Sequence, residues 1–197
     1  GDFPTIQAAM YAAHTGDVIQ LGNGTFTGPG NRDLDTNETT FTVVSMSGDP
    51  ALCVINCQGS VNTPHYGISF STQGPGAALR GISIINAYKP TSGGALSLAN
   101  ASLTIENCIF ANNEARDYGG AIFGYDVSSP TIRHCIFRSN SAGEKGGAIF
   151  MRDNSDPLIE DCTFSNNGPS AGSAIFFDLG CSPGVDGCTF YGNTGGA

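Results

Sequence analysis

Asn107-Cys108-Ile109-Phe110-Ala111-Asn112-Asn113 recurs as His134-Cys135-Ile136-Phe137-Arg138-Ser139-Asn140, then as Asp161-Cys162-Thr163-Phe164-Ser165-Asn166-Asn167, and again as Gly187-Cys188-Thr189-Phe190-Tyr191-Gly192-Asn193. The cysteines stand 27, 27 and 26 residues apart. A second marker keeps the same time: Gly93-Gly94-Ala95, Gly119-Gly120-Ala121, Gly146-Gly147-Ala148, Gly172-Ser173-Ala174 and Gly195-Gly196-Ala197. Pro130, Pro157 and Pro183 each precede a cysteine by five residues. Three markers in phase define a structural repeat.

The repeat contains short β-prone runs separated by Gly, Asn, Asp and Pro, and no helical period. In Ile132-Arg133-His134-Cys135, Ile132 and Cys135 share an inner face only if the two residues between them bend the chain. The residue before each cysteine is Asn107, His134, Asp161 or Gly187, types that adopt the left-handed backbone at low steric cost. A corner therefore falls there. After it, alternation puts Cys and Phe on the same face. A coil of this length, stacked on copies of itself at ~4.8 Å, is a parallel β-solenoid. It predicts inner ladders of Cys108/135/162/188, Phe110/137/164/190 and Asn113/140/167/193. It also predicts a column of Glu106, Arg133, Glu160 and Asp186 in which Arg133 separates two glutamates.

Residues 1–40 do not repeat and are read as an N-terminal cap. Residues 5–13 form a helix with Ile6, Met10 and Ala13 on one face, Pro4 near its start and Gly16 near its stop. Asp17 to Leu21 is the first strand. Residues 41–197 are coils, irregular at first (Phe41 to Met46, Cys53 to Cys57, Tyr66 to Phe70, Leu79 to Ile85, Leu96 to Ile105) and regular from about residue 93. No second cap is legible at the C-terminal end. The expectation is a piece of a longer solenoid, or a final face that binds something; Gly1 reads as a processed or cloned start.

Composition excludes several classes. Of 197 residues, 28 are Gly and 13% are charged, about half the usual charged share, too few for a solvated helical bundle. A hydrophobic fraction of 40% argues against disorder. The net charge of −9 argues against nucleic acid, which needs a basic surface. No stretch reaches the ~18 to 20 apolar residues of a membrane span, and no signal segment opens the chain.

Pro4-Thr5-Ile6-Gln7-Ala8-Ala9, followed by Gly16-Asp17-Val18-Ile19 and Gly24-Thr25-Phe26, resembles the entry to right-handed parallel β-helix proteins of the pectate-lyase-like superfamily. The Gly-Gly-Ala-Ile and Phe-x-x-Asn elements are similar to repeats in chlamydial polymorphic outer-membrane proteins and related bacterial surface proteins. The resemblance implies an all-β, right-handed parallel β-helix with a short capping helix. It does not choose a function, because that superfamily includes lyases, hydrolases, adhesins, autotransporter passengers and fibres. The Arg-x-Pro-x-x-Arg stretch of polyuronate lyases is absent. So are the Asn-Thr-Asp, Asp-Asp, Gly-His-Gly and Arg-Ile-Lys elements of β-helical galacturonases.

No catalytic residue is assigned. Asp153 with Asp156, and Glu160 with Asp161, are acid–base pairs in principle, but read first as turn carboxylates. His14, His65 and His134 are far apart, and His134 fills the bend. Asn31, Asp33 and Asp35 put oxygens at alternate positions and are the one candidate for Ca²⁺; otherwise no cofactor is expected. The cysteines read as reduced, buried thiols, with Cys53, Cys57 and Cys181 the better placed for any bridge. In Ala121-Ile122-Phe123, Ala148-Ile149-Phe150 and Ala174-Ile175-Phe176, adjacent large apolar residues send one column outward. That stripe marks either an interface or a surface covered by the chain itself.

Two functions follow as expectations. The first is an extracellular structural or adhesive module of a bacterial surface protein, assembling with other copies of itself end to end or side by side. The alternative is a carbohydrate-active enzyme, lyase or hydrolase, or a glycan-binding module.

Overall fold

The computed structural model describes residues 2–169 and 174–195. The Gly172-Ser173 and Gly196-Ala197 markers lie outside them. Helix α1 (Ile6–Ala12) leads into a stack of parallel coils. The first coil holds β1 (Val18–Leu21), β2 (Gly24–Phe26) and β3 (Leu34–Asp35). The second holds β4 (Thr42–Ser45), β5 (Cys53–Asn56) and β6 (Ile68–Ser71). The third gains a fourth strand: β7 (Ala78–Arg80), β8 (Ser83–Ile85), β9 (Tyr88–Lys89) and β10 (Leu96–Ala99). The fourth repeats that plan with β11 (Thr104–Glu106), β12 (Ile109–Ala111), β13 (Glu114–Ala115) and β14 (Ile122–Tyr125). The fifth has β15 (Thr131–Arg133), β16 (Ile136–Arg138), β17 (Ser141–Ala142) and β18 (Ile149–Met151). The sixth has β19 (Leu158–Glu160), β20 (Thr163–Ser165), β21 (Gly168–Pro169) and β22 (Ile175–Phe177). Strands β23 (Gly184–Asp186) and β24 (Thr189–Tyr191) begin a seventh.

Every named strand pairs in parallel with its counterpart one coil away. The result is a first sheet β1-β4-β7-β11-β15-β19-β23, a second sheet β2-β5-β8-β12-β16-β20-β24, a third sheet β3-β6-β10-β14-β18-β22 and a short sheet β9-β13-β17-β21. The first coil thus starts at Val18, inside the segment that the sequence assigns to the cap. The cap proper is α1. Its N-cap Thr5 accepts from the Ala8 amide at 3.2 Å, and Asn31 Oδ1 accepts from the Ile6 amide at 3.0 Å, so donors that a helix start leaves unpaired are satisfied. Gln7 closes the open edge of β3: its amide donates to the Asp35 carbonyl, and its oxygen accepts from the Asp35 amide, both at 2.9 Å. A side-chain amide there takes the place of the missing strand.

The corners explain the repeat. Asn107, His134, Asp161 and Gly187 have φ of 50°, 53°, 50° and 60°, the left-handed bend that their residue types predict. The cysteine after each bend faces the core and donates its S–H to two carbonyls. For Cys135 these are Arg133 at 3.2 Å and Ile105 of the preceding coil at 3.6 Å. Cys108, Cys162 and Cys188 repeat the arrangement. A cysteine therefore fills apolar volume and adds a second donor to a corner carbonyl; that of Arg133 also accepts from the Asn107 amide at 3.1 Å. All seven cysteines, Cys53, Cys57 and Cys181 included, are free.

Asn113, Asn140, Asn167 and Asn193 do the same at the next corner. The Asn140 amide nitrogen donates to the Phe110 carbonyl and to Asn167 Oδ1, both at 2.9 Å. Asn140 Oδ1 accepts from the Asn113 backbone at 3.1 Å and from its side chain at 3.0 Å. Between these columns Phe110, Phe137, Phe164 and Phe190 stack face to face, with centroids 5.0, 4.8 and 4.8 Å apart. That spacing is the strand separation itself, so one side chain per coil fills the core without voids.

On the outside of the first sheet, Glu106 receives Arg80 Nε at 3.1 Å and Arg133 Nε at 3.0 Å. The Arg133 and then Arg80 contacts hold its carboxyl below the usual range. Glu160 stands opposite Asp186, the like-charge step that the sequence column contains.

Candidate functional site

The third sheet carries the departures from the repeat. Along it, Leu34, Ile68, Leu96, Ile122 and Ile149 point inward and are buried. The outward column in register is Asp35, Ser69, Ser97, Phe123, Phe150 and Phe176. Of the apolar pairs Ile122/Phe123, Ile149/Phe150 and Ile175/Phe176, the phenylalanines therefore form the outer stripe.

That stripe is partly closed by the chain itself. Tyr118, on the loop before β14, stacks on Phe150 with centroids 4.7 Å apart and lies 6.5 Å from Phe123. A hydrogen bond to Glu144 raises the Tyr118 hydroxyl pKa. Phe150 is only 2% exposed as a result. Tyr125 stacks on Phe123 at 5.2 Å, and Lys145 Nζ lies 4.2 Å from the Phe176 centroid. Phe123, Tyr118, Tyr125 and Phe176 stay half-buried, presenting an aromatic tract over three coils.

Towards the N-terminus the same face turns polar. Lys89 Nζ donates to Ser97 Oγ at 2.7 Å and sits 4.7 Å from the centroid of the Tyr66 ring. Burial lowers the Lys89 pKa, and burial followed by Asp33 raises that of Tyr66. Next to Tyr66, His65 Nδ1 contacts Asp33 Oδ2 at 2.7 Å, and the other Asp33 oxygen accepts from the Tyr66 amide at 2.8 Å. Asp33 also raises the Cys57 pKa, after burial, to about 12.

The three candidate calcium ligands each have partners of their own. Asp33 accepts from the Tyr66 amide and contacts His65, Asn31 Oδ1 accepts from the Ile6 amide, and Asp35 Oδ1 accepts from the Asn37 amide at 2.9 Å. Among the described residues no group of His, Cys, Asp and Glu could hold a metal. Three carboxylates of the candidate acid–base pairs have partners elsewhere. Asp153 binds Arg152 at 2.9 Å, Asp156 accepts from the Ser182 amide, and Asp161 faces His134 at a corner.

The polar patch of Asp33, His65, Tyr66, Lys89 and Ser97 is absent from the sequence reading, although one signal for it was present. Aligned on the glycine markers, Gly94-Ala95-Leu96-Ser97 stands where Gly120-Ala121-Ile122-Phe123 and Gly147-Ala148-Ile149-Phe150 follow. The serine breaks the column. Lys89, in register with the buried Ala115 and Ala142, breaks a second column in the same coil.

A coil stack with one interrupted outer face is the architecture of the right-handed β-helix family, and the chain belongs to it. The family model described as "Right handed beta helix region" matches residues 16–149 and, in a second alignment, 43–197. No curated protein matches. Among solved structures, the pectin methylesterase from Aspergillus niger is similar, at 15% identity over 99% of this chain and 83% of that one, with a TM-score of 0.48.

Proposed function

We propose that this chain is an extracellular adhesive module of a bacterial surface protein that holds glycans along the outer face of its third sheet. One observation carries the reading. The protein has 17 acidic residues and only two lysines, Lys89 and Lys145. Each lies over an aromatic ring on this one face, and among the described residues neither has a carboxylate within 4.0 Å. Half-buried rings beside amines without a carboxylate partner, and beside hydroxyls, suit a ligand with both C–H faces and polar groups, as sugars have. Arg116 and Arg152, each paired to the neighbouring aspartate at 2.8 and 2.9 Å, extend the polar border. Binding to a glycan array, weakened at least about tenfold by Phe176→Ala or Lys145→Ala, is the expected result. No binding to any glycan by the folded protein overturns it. Release of reducing ends or unsaturated products from a polysaccharide panel, with or without Ca²⁺, would move the reading to a carbohydrate-active enzyme.

A further inference from the structure

The geometry points to Lys89 as a carbonyl-capturing amine, a site where an aldehyde-bearing ligand forms a Schiff base with Nζ. This goes beyond glycan adhesion and does not rest on it. The argument starts from the ladders. In a solenoid each position is dictated by the copies above and below it, so two departures that touch one another need a local reason. Lys89 stands where buried alanines follow, and Ser97, like Ser69 in the coil before it, stands where phenylalanines follow. Removing a ring from one column makes room for the long side chain of the other.

The contacts then define the state of the amine. Lys89 Nζ gives a hydrogen to Ser97 Oγ at 2.7 Å, while Ser97 Oγ gives its own hydrogen to the Ser92 carbonyl at 3.3 Å. An amine held only as a donor keeps its lone pair unspent once it is neutral. The Tyr66 ring covers one side. The titratable groups on the elements around Lys89 are Tyr66 and Tyr88, the Asp33–His65 pair beside Tyr66, Glu114 on the paired strand β13, and the Arg116–Asp117 pair just after it, where the Arg116 amide donates to the Lys89 carbonyl. Burial without a carboxylate favours the neutral, nucleophilic form.

The chemistry balances without another reactant. The Nζ lone pair attacks the aldehyde carbon, one proton moves from nitrogen to the former carbonyl oxygen to give the carbinolamine, and that oxygen leaves as water with the second Nζ proton as the C=N bond forms. Lys145 serves as an internal comparator, and the α-amino group as a third amine.

The test is reductive trapping of glycolaldehyde with cyanoborohydride at pH 7 on the folded protein, followed by peptide mapping. Each unit by which an amine pKa falls gives about tenfold more free base at neutral pH. Lys89 is therefore expected to be alkylated at least about fivefold faster than Lys145, with the preference lost in urea. Lys145→Ala should leave the Lys89 adduct intact, and Ser97→Phe, which restores the ring column, should abolish it in a protein of unchanged circular dichroism. Equal or slower labelling of Lys89 in the folded chain overturns the inference. Labelling at Lys89 by a protein silent on glycan arrays would separate this site from the adhesive reading.

Discussion

The fourth to sixth coils and the first three are built on one plan but solve different problems. In the later coils each corner and core position carries the same residue type: Cys after the bend, Phe inside, Asn at the next turn. In the earlier coils the columns change identity. The cysteine column passes through Ile82, and the outer ring column gives way to Ser97 and Ser69. Where the ladders are uniform, side chains spend their hydrogen bonds on the backbone of the neighbouring coil. Where they break, polar side chains are left to meet one another. The difference separates residues that hold the coil together from residues available to a ligand, and it can be broken experimentally.

The largest effect should come from the inner ring ladder. Phe137→Ala removes a buried side chain stacked on both sides, and a loss of about 3–5 kcal/mol in urea unfolding is expected. Phe123→Ala, on the half-buried outer column, should cost about half of that or less. Equal costs would mean that the outer column is core rather than surface.

Next come the asparagines. Asn140→Ala orphans the Asn113 amide in a dry interior and takes the side-chain donor from the Phe110 carbonyl, an expected loss of about 1–3 kcal/mol. Asn86→Gly, which keeps the left-handed backbone (φ 54°) and loses one partly buried side-chain bond to Asn56, should cost about 1 kcal/mol or less. A reversed order would contradict the division into uniform and broken coils.

Cys135→Ala should cost about 1–2 kcal/mol, part lost volume and part the lost second hydrogen bond of the corner carbonyls. The same reasoning predicts thiol chemistry. In the folded chain at pH 8 Cys57, pushed up to about 12 by burial, resists alkylation. Unfolding without reductant should expose seven thiols; fewer would mean a disulfide.

The smallest effect distinguishes the break in the third coil. Lys89 has a folded-state pKa below its ordinary value of 10.5, so below that folded pKa its charge destabilises the fold. The penalty fades as pH rises through the folded pKa and is gone above 10.5. Lys89→Met should therefore gain stability at neutral pH, and the gain should shrink as pH rises towards 10.5. A difference independent of pH would show that the amine is not desolvated.

Much of this was legible from spacing. The phase of Cys, Phe and Asn, with a left-handed residue before each cysteine, determined the coil length, the corners and three ladders, because a stack of identical units repeats its local chemistry at a fixed interval. The helix was readable from Thr5 to Ala13 for the same local reasons. The reach of the first coil was not, since Val18 to Asp35 lack the markers and are recruited only by pairing with β4, β5 and β6.

What the tertiary structure alone decided is which face of each strand turns outward and which distant residues meet there. Alternation allowed either Ile122 or Phe123 to face solvent, and only closure of the coil around a core of fixed width chose the isoleucine for the inside. Asp33, His65, Tyr66, Lys89 and Ser97 come from three coils. Their meeting depends on the register of successive turns, which stacks residues from 24 (Val18 on Thr42) to 36 (Thr42 on Ala78) positions apart, and on two side chains leaving their columns in the same place. Sequence periodicity names what each coil shares; contact between coils places what each does differently.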